Sequence, residues 1–353
     1  MSLETRRSSI PDLNLDEILD EEKVRYKRKG YGIIFSFIFT LSFFLILPEI
    51  IKYFFPRHIE NEGQFEYFFF QVLHTGGFIF FNLIMYVIYH MEHPFFERYK
   101  INDRPWPWNN KNEDWNGMLK TSIKQLLFNH FIILPVLTSE SILTGKSHFR
   151  TDCDSFPTTF ELLAQILIFM LCEDFCFYWA HRFLHWDRIY PYIHKRHHLY
   201  INTVSIASEF AHPLEFILAN IITTNIAPLA LGKRCHTITI IIWVILRLGE
   251  TTDGHCGYEF SWSPYRLIPF SGSSEYHNFH HLNYKGNYAS FFSIWDRLCG
   301  TVNKQYVEFI KKKVELSKGY DELKKKLDKE YNEKRQKLDD TYEEFDKVKD
   351  KKD

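Results

Sequence analysis

The stretch that decides the fold lies between positions 181 and 281, and it reads His181-Arg-Phe-Leu-His185, then His194-Lys-Arg-His197-His198, then His277-Asn-Phe-His280-His281. The first pair stands at i, i+4 and each later cluster at i, i+3, i+4, so a helix through each cluster presents its rings on one face. Any one of these histidines alone reads as a snorkelling or capping side chain. The set does not, because satisfied core histidines have no reason to repeat a spacing. Imidazole suits iron, zinc, copper and nickel, and no thiolate occurs within the clusters, which argues against a zinc-finger or iron–sulfur reading. Eight imidazoles exceed what one octahedral metal takes and suit two metals with open positions.

Working outward, His255 in Asp253-Gly-His255-Cys-Gly-Tyr258 lies between the second and third clusters after an apolar helix. It is a ninth candidate ligand, balanced against a hydrogen-bonding role. His212 opens a helix ahead of Pro213 and reads as a cap or loop residue, and His236 receives no role. Asp174 precedes His181 by seven residues, about two helical turns, too far for direct contact along one helix. It is expected to accept the outer ring N–H of a ligand imidazole from a neighbouring helix. The bland alternative is that Glu173 and Asp174 simply end an apolar segment.

The chain has 353 residues and a formal charge of −1, which points to no polyanionic partner and argues against nucleic acid. Aromatic residues make up 18%, with 34 Phe, yet the mean hydropathy is −0.26 because polar ends dilute an apolar middle. The six cysteines form no CxxC pair and no disulfide framework, so they read as reduced thiols. No cleavable signal peptide is visible, since residues 1–29 are highly charged and lack an apolar core.

Apolar segments at 31–51 and 67–89 are long enough to cross a bilayer. Lys23, Arg25, Lys27, Arg28 and Lys29 precede the first, and Arg98, Lys100 and Arg104 follow the second, so both flanks are expected in the cytosol. Segments 119–138 and 160–180 are interrupted by polar residues such as His130, Gln165, Glu173 and Asp174, as in helices that face a bundle interior, and make a second hairpin. The histidine region then starts at the cytosolic membrane surface. Segments 213–231 and 237–248 either span or lie at the interface. No period-two alternation appears, so the expected class is all-α: about four transmembrane helices with a cytosolic, histidine-rich two-metal cap. The expected organisation is a polar N-terminus (1–30), a membrane region (31–180), a catalytic region (181–303) and a charged helical tail (311–353). That tail ends in Lys349-Asp-Lys351-Lys-Asp, which fits a retrieval signal of endoplasmic-reticulum membrane proteins.

An imidazole-rich site beside a bilayer favours oxidation of an apolar substrate at a non-haem di-iron centre over di-zinc hydrolysis, which normally draws on bridging carboxylates and water access. The clusters, together with Glu209-Phe-Ala-His212-Pro213-Leu-Glu215, the stretch 253–258, Asn283, Gly286-Asn-Tyr-Ala-Ser290 and Trp295-Asp-Arg297, resemble the fatty acid hydroxylase superfamily, and most closely its C-4 methylsterol oxidases. Tyr99-Lys-Ile101 and Arg104-Pro105 extend the resemblance to roughly residues 95–303. It departs at Tyr276 and Asn278, where relatives often carry His and Asp. The resemblance implies a four-helix membrane anchor in the endoplasmic reticulum under a cytosolic cap holding two irons. It also implies oxidation of the 4α-methyl of a 4,4-dimethylsterol to the carboxylate, with electrons from NAD(P)H through cytochrome b5 and its reductase. The same boxes serve sterol C-5 desaturation, sterol side-chain hydroxylation and fatty acyl hydroxylation, and a non-catalytic membrane scaffold is the rival from another class.

Overall fold

The computed structural model describes residues 31–102, 105–110, 114–268 and 270–313, with scattered positions as far as Glu333. The basic run at 23–29, Arg104 and the end of the charged tail lie outside the described residues. The chain divides into two compact units, Arg28–Asn303 and a second formed by Met1–Lys27 with Lys304–Asp353. Of the second unit, residues 304–313 form a helix whose side chains are exposed or half-buried.

The first unit is helical throughout, and its described residues form no strand, with bridges confined to three isolated pairs such as Lys100 with Tyr258. Its principal helices are α1 (Tyr31–Phe54), α2 (Glu62–Met91), α3 (Trp115–Thr144), α4 (Thr159–Leu184), α5 (Pro213–Arg234), α6 (Thr237–His255), α7 (Ser274–Asn283) and α8 (Ile294–Leu298). Side-chain caps explain most of the starts. Asn61, Asp114, Thr158, His236 and Ser273 each accept a backbone N–H from the first turn of α2, α3, α4, α6 and α7 respectively. The π turn at Asn129–Ile133 in α3 stands just before Pro135, whose missing N–H breaks the regular ladder.

Four of these helices are long and apolar enough to cross a membrane: α1, α2, α3 and α5. The fourth differs from expectation, which had put it at 160–180. Helix α4 is two-faced. Phe160, Leu163, Leu167, Leu171, Phe175 and Trp179 form an exposed apolar stripe, while Glu173, Asp174, Tyr178 and His181 are buried on the other side. Helix α6, left open between spanning and interfacial, is the core helix of the unit. It is buried on nearly every side and packs on α2, α4, α7 and the 3₁₀ turn Ser205–Glu209. Trp243 of α6 lies against Phe169 of α4 and Phe291, all three almost wholly buried. Its buried Arg247 bonds Glu173 at 2.8 Å and Glu250 at 2.6 Å, so the charges enter the core already paired. The C-terminal end of α6 delivers His255 to the site.

Candidate metal centre

All nine candidate imidazoles converge, in two groups. His181, His185, His194, His198 and His280 form one, and His197, His255, His277 and His281 the other, each with its ligand nitrogens within 4.8 Å of one another. Seven are buried, and His185 and His277 are half-buried.

The expectation that each cluster serves as one face is corrected by this arrangement. His181 and His185, at the end of α4, both join the five-membered group. The second cluster sits on a 3₁₀ turn, His194–Leu199, and divides: His194 and His198 join the five, His197 the four. The third cluster, on α7, divides the other way, with His277 and His281 in the four and His280 in the five. On the α-helical third cluster, residues i+3 and i+4 point about 100° apart, so His280 and His281 face different groups. Each later cluster gives two rings to one group and one to the other.

What each ring's outer nitrogen touches decides what its inner nitrogen can do. Nδ1 donates to the backbone carbonyl of Tyr288 from His181 (2.8 Å), Phe210 from His197 (3.3 Å), Thr251 from His255 (2.8 Å), Gly286 from His280 (2.8 Å) and Tyr200 from His281 (2.9 Å). His194 Nδ1 donates to the carboxylate of Glu215 at 2.8 Å. Carbonyl and carboxylate oxygens only accept, so in these six rings the proton sits on Nδ1 and Nε2 keeps its lone pair. Two pairs of these Nε2 atoms face each other, His181 with His194 at 3.0 Å and His197 with His255 at 3.3 Å. The other three rings point Nε2 into the same groups: His198 to His194 at 3.1 Å, His185 to His280 at 3.1 Å, and His277 to His255 at 2.9 Å and to His281 at 3.1 Å.

Converging lone pairs with no proton between them repel unless a cation lies among them. The spacing fits one, since nitrogens about 2.1 Å from an octahedral metal are about 3.0 Å apart when adjacent. The two sets would each hold one metal ion and leave it room for a further ligand. Burial, reinforced by the neighbouring rings, holds His194, His198, His277, His280 and His281 well below the usual imidazole pKa, and burial holds His197 at about 4. The rings are therefore neutral at physiological pH, as ligands must be.

The supports reach far along the chain. Gly286, whose carbonyl holds His280, has φ of +85°, and a Cβ there would come within 2.5 Å of the Thr301 carbonyl oxygen, so the turn requires glycine. Asp296 fixes the neighbouring loop by accepting the Tyr288 amide (3.0 Å), the Ala289 amide (2.9 Å), the Tyr276 hydroxyl (2.8 Å) and the Thr301 hydroxyl (2.6 Å). Tyr276, a departure from the family pattern, thus ties α7 to the loop whose Tyr288 carbonyl orients His181.

Asp174 is not placed as expected: its carboxylate accepts the Phe292 amide at 3.0 Å and makes no hydrogen bond to an imidazole. It anchors the loop after Tyr288, and Glu215, in the first turn of α5, is the carboxylate that holds a ring. His212 Nδ1 accepts the Leu214 amide at 3.2 Å, a capping contact, and His236 caps α6 while bonding the Asp152 carbonyl at 2.9 Å. A further donor group that sequence reading missed consists of His74, His130 and Glu209.

The family model described as fatty acid hydroxylase matches residues 166–301, which contain all nine imidazoles. Methylsterol monooxygenase 1 of Gallus gallus is 36% identical over 228 residues, covering 62% of this chain and 71% of that protein. The Rattus norvegicus protein of the same name is 39% identical, covering 64% and 73%, and the Danio rerio protein 39%, covering 60% and 71%. The chain belongs to the methylsterol monooxygenase family, within the fatty acid hydroxylases. No solved structure gives a significant match. For this family member the two imidazole groups, the Glu215 carboxylate and the Asp296-anchored loop are the features whose chemistry requires explanation.

Proposed function

We propose that the protein is a membrane-bound, O2-dependent oxidoreductase that oxidises the C-4 methyl group of 4,4-dimethylsterols. The observation that carries this reading is the pair of inward-facing Nε2 sets, in a chain whose relatives are named methylsterol monooxygenases. His181, His185, His194, His198 and His280 would hold one iron, and His197, His255, His277 and His281 the other. Bound there, the irons supply dioxygen activation at neutral-ligand sites with open positions. The protein's own contribution is to keep the nine rings neutral, fix the tautomers of six of them through Nδ1, and surround them with helices that exclude bulk water.

The reaction balances as successive oxygenations. Each cycle consumes one O2, two electrons and two protons, places one oxygen atom in the substrate and releases one water. Methyl becomes hydroxymethyl, then aldehyde through its hydrate, then carboxylate. The electrons come from NAD(P)H through cytochrome b5 and its reductase. Four apolar helices and the sterol-type substrate support residence in the endoplasmic-reticulum membrane. Because histidines before and after α5 share one centre, α5 is read as interfacial and α4, with its exposed apolar stripe, as the fourth crossing, which puts the metal region and both termini on the cytosolic side.

Reconstitution of purified protein with the reductase, cytochrome b5 and a 4,4-dimethylsterol tests the reading. The expected products are the 4-hydroxymethyl, 4-formyl and 4-carboxy sterols. Oxidation at the sterol side chain, or a ring desaturation product, sinks it in favour of another branch of the superfamily.

A further inference from the structure

The donor group of His74, His130 and Glu209 borders a cavity of about 310 Å³, which His74 and Glu209 help to line. Glu209 closes the 3₁₀ turn 205–209, His130 lies in the π turn of α3, and His74 belongs to α2. His130 Nε2 stands 2.8 Å from Glu209 Oε2, and His74 Nε2 stands 3.5 Å from Oε1. Neither contact has hydrogen-bond alignment: Glu209 Oε2, His130 Nε2 and His74 Nδ1 are buried with no hydrogen-bond partner. Glu209 itself is 3% exposed. An ionisable group so placed in a bundle of apolar helices is costly, and such groups mark ligand paths.

Glu209 and His74 face the cavity, whose walls include Phe70, Leu134, Leu137, Val244 and Leu248. The lining is mixed, with Glu66, Glu140, His148 and Arg247 as its other ionisable side chains, but Glu209 is a buried carboxylate bordered by aliphatic and aromatic walls, which suits a largely hydrocarbon ligand with one hydroxyl group. Glu209 and the cavity also adjoin the metal centre's supports. The carbonyl of Phe210, next to Glu209 in the chain, holds His197, and Thr251, which lines the cavity, holds His255. Both rings belong to the four-histidine group.

We propose that Glu209, backed by His74 and His130, is the anchor for the hydroxyl group of a 3-hydroxysterol, whose ring skeleton lies along the apolar walls. This rests on the C-4 oxidation reading, because C-3 is bonded to C-4 and a hydrogen bond to the 3-hydroxyl fixes the neighbouring methyl group in space. Glu209 accepts from the hydroxyl, and His130 and His74 flank its carboxyl oxygens at 2.8 Å and 3.5 Å. Glu209 is thus a specificity residue rather than a metal ligand.

The test is equilibrium binding of two sterols to the full-length, metal-loaded protein in lipid nanodiscs, one a 4,4-dimethyl-3β-hydroxysterol and the other its 3-deoxy analogue. Wild type is expected to bind the hydroxysterol about tenfold tighter or more, the scale of a hydrogen bond to a charged acceptor. Glu209→Gln should shrink that preference several-fold while leaving binding of the deoxy analogue unchanged. Equal binding of both sterols by wild type, which requires no variant, overturns the proposal. So does an equal loss for both sterols in Glu209→Gln, the mark of a purely structural role. A further metal ion per chain, absent from Glu209→Gln, also overturns it, since two histidines and a carboxylate can hold a divalent metal. Because binding is read without turnover, Glu209-dependent hydroxyl preference with oxidation away from C-4 keeps the anchor and discards the C-4 reading. C-4 oxidation without that preference does the reverse.

Discussion

Six of the nine imidazoles are aimed by an acceptor on the outer nitrogen, and one of those acceptors is a side chain, the carboxyl of Glu215. Replacing it with glutamine puts an amide beside His194 Nδ1 that can turn either its oxygen or its NH2 to the ring, so the proton is no longer held on Nδ1. Glu215→Gln is expected to lower metal affinity or turnover by about 10- to 100-fold. Asp174→Asn should cost less, because its partner is the Phe292 amide and an asparagine oxygen still accepts from it. Metal titration and turnover of the two variants check the order, and a larger loss in Asp174→Asn would restore to Asp174 the role first expected of it. The converging imidazoles were legible in sequence, since the spacing within each cluster is local. Glu215 was not, because a carboxylate in a first helical turn reads as an ordinary partner of the helix dipole. Asp174 was misread because the loop it anchors lies more than a hundred residues further along the chain.

At the scale of elements, the lengths and polar interruptions of the apolar segments were readable, but their environments were not. A helix that is apolar on all sides, such as α6, suits a protein core and a lipid interior equally well. Arg247 separates the two: a guanidinium paired with Glu173 and Glu250 belongs inside the protein, joining α6 to α4. Arg247→Met leaves two buried carboxylates without their cation and is expected to destabilise the protein by about 3–5 kcal/mol. Thermal unfolding in detergent checks this, and a midpoint unchanged from wild type would mean that the ion pair does not hold the helices together. The division of the second and third clusters between two groups likewise needed the folded helices, since spacing shows which rings share a turn and not which neighbour each turn meets.

For the whole molecule, a bundle with four apolar helices carries its imidazoles where α4, α6, α7 and the 194–199 turn meet. The basic residues at 23–29 and at 98–104 predict that the histidine region and both termini face the cytosol. Protease treatment of sealed microsomes should remove an epitope at either end without detergent, and protection of the C-terminal end until detergent is added would require an odd number of crossings. The account stands or falls on the metals, and their count is its most direct test. Iron analysis of purified, catalytically active protein should find close to two irons per chain, and full turnover with a single metal ion per chain would contradict it.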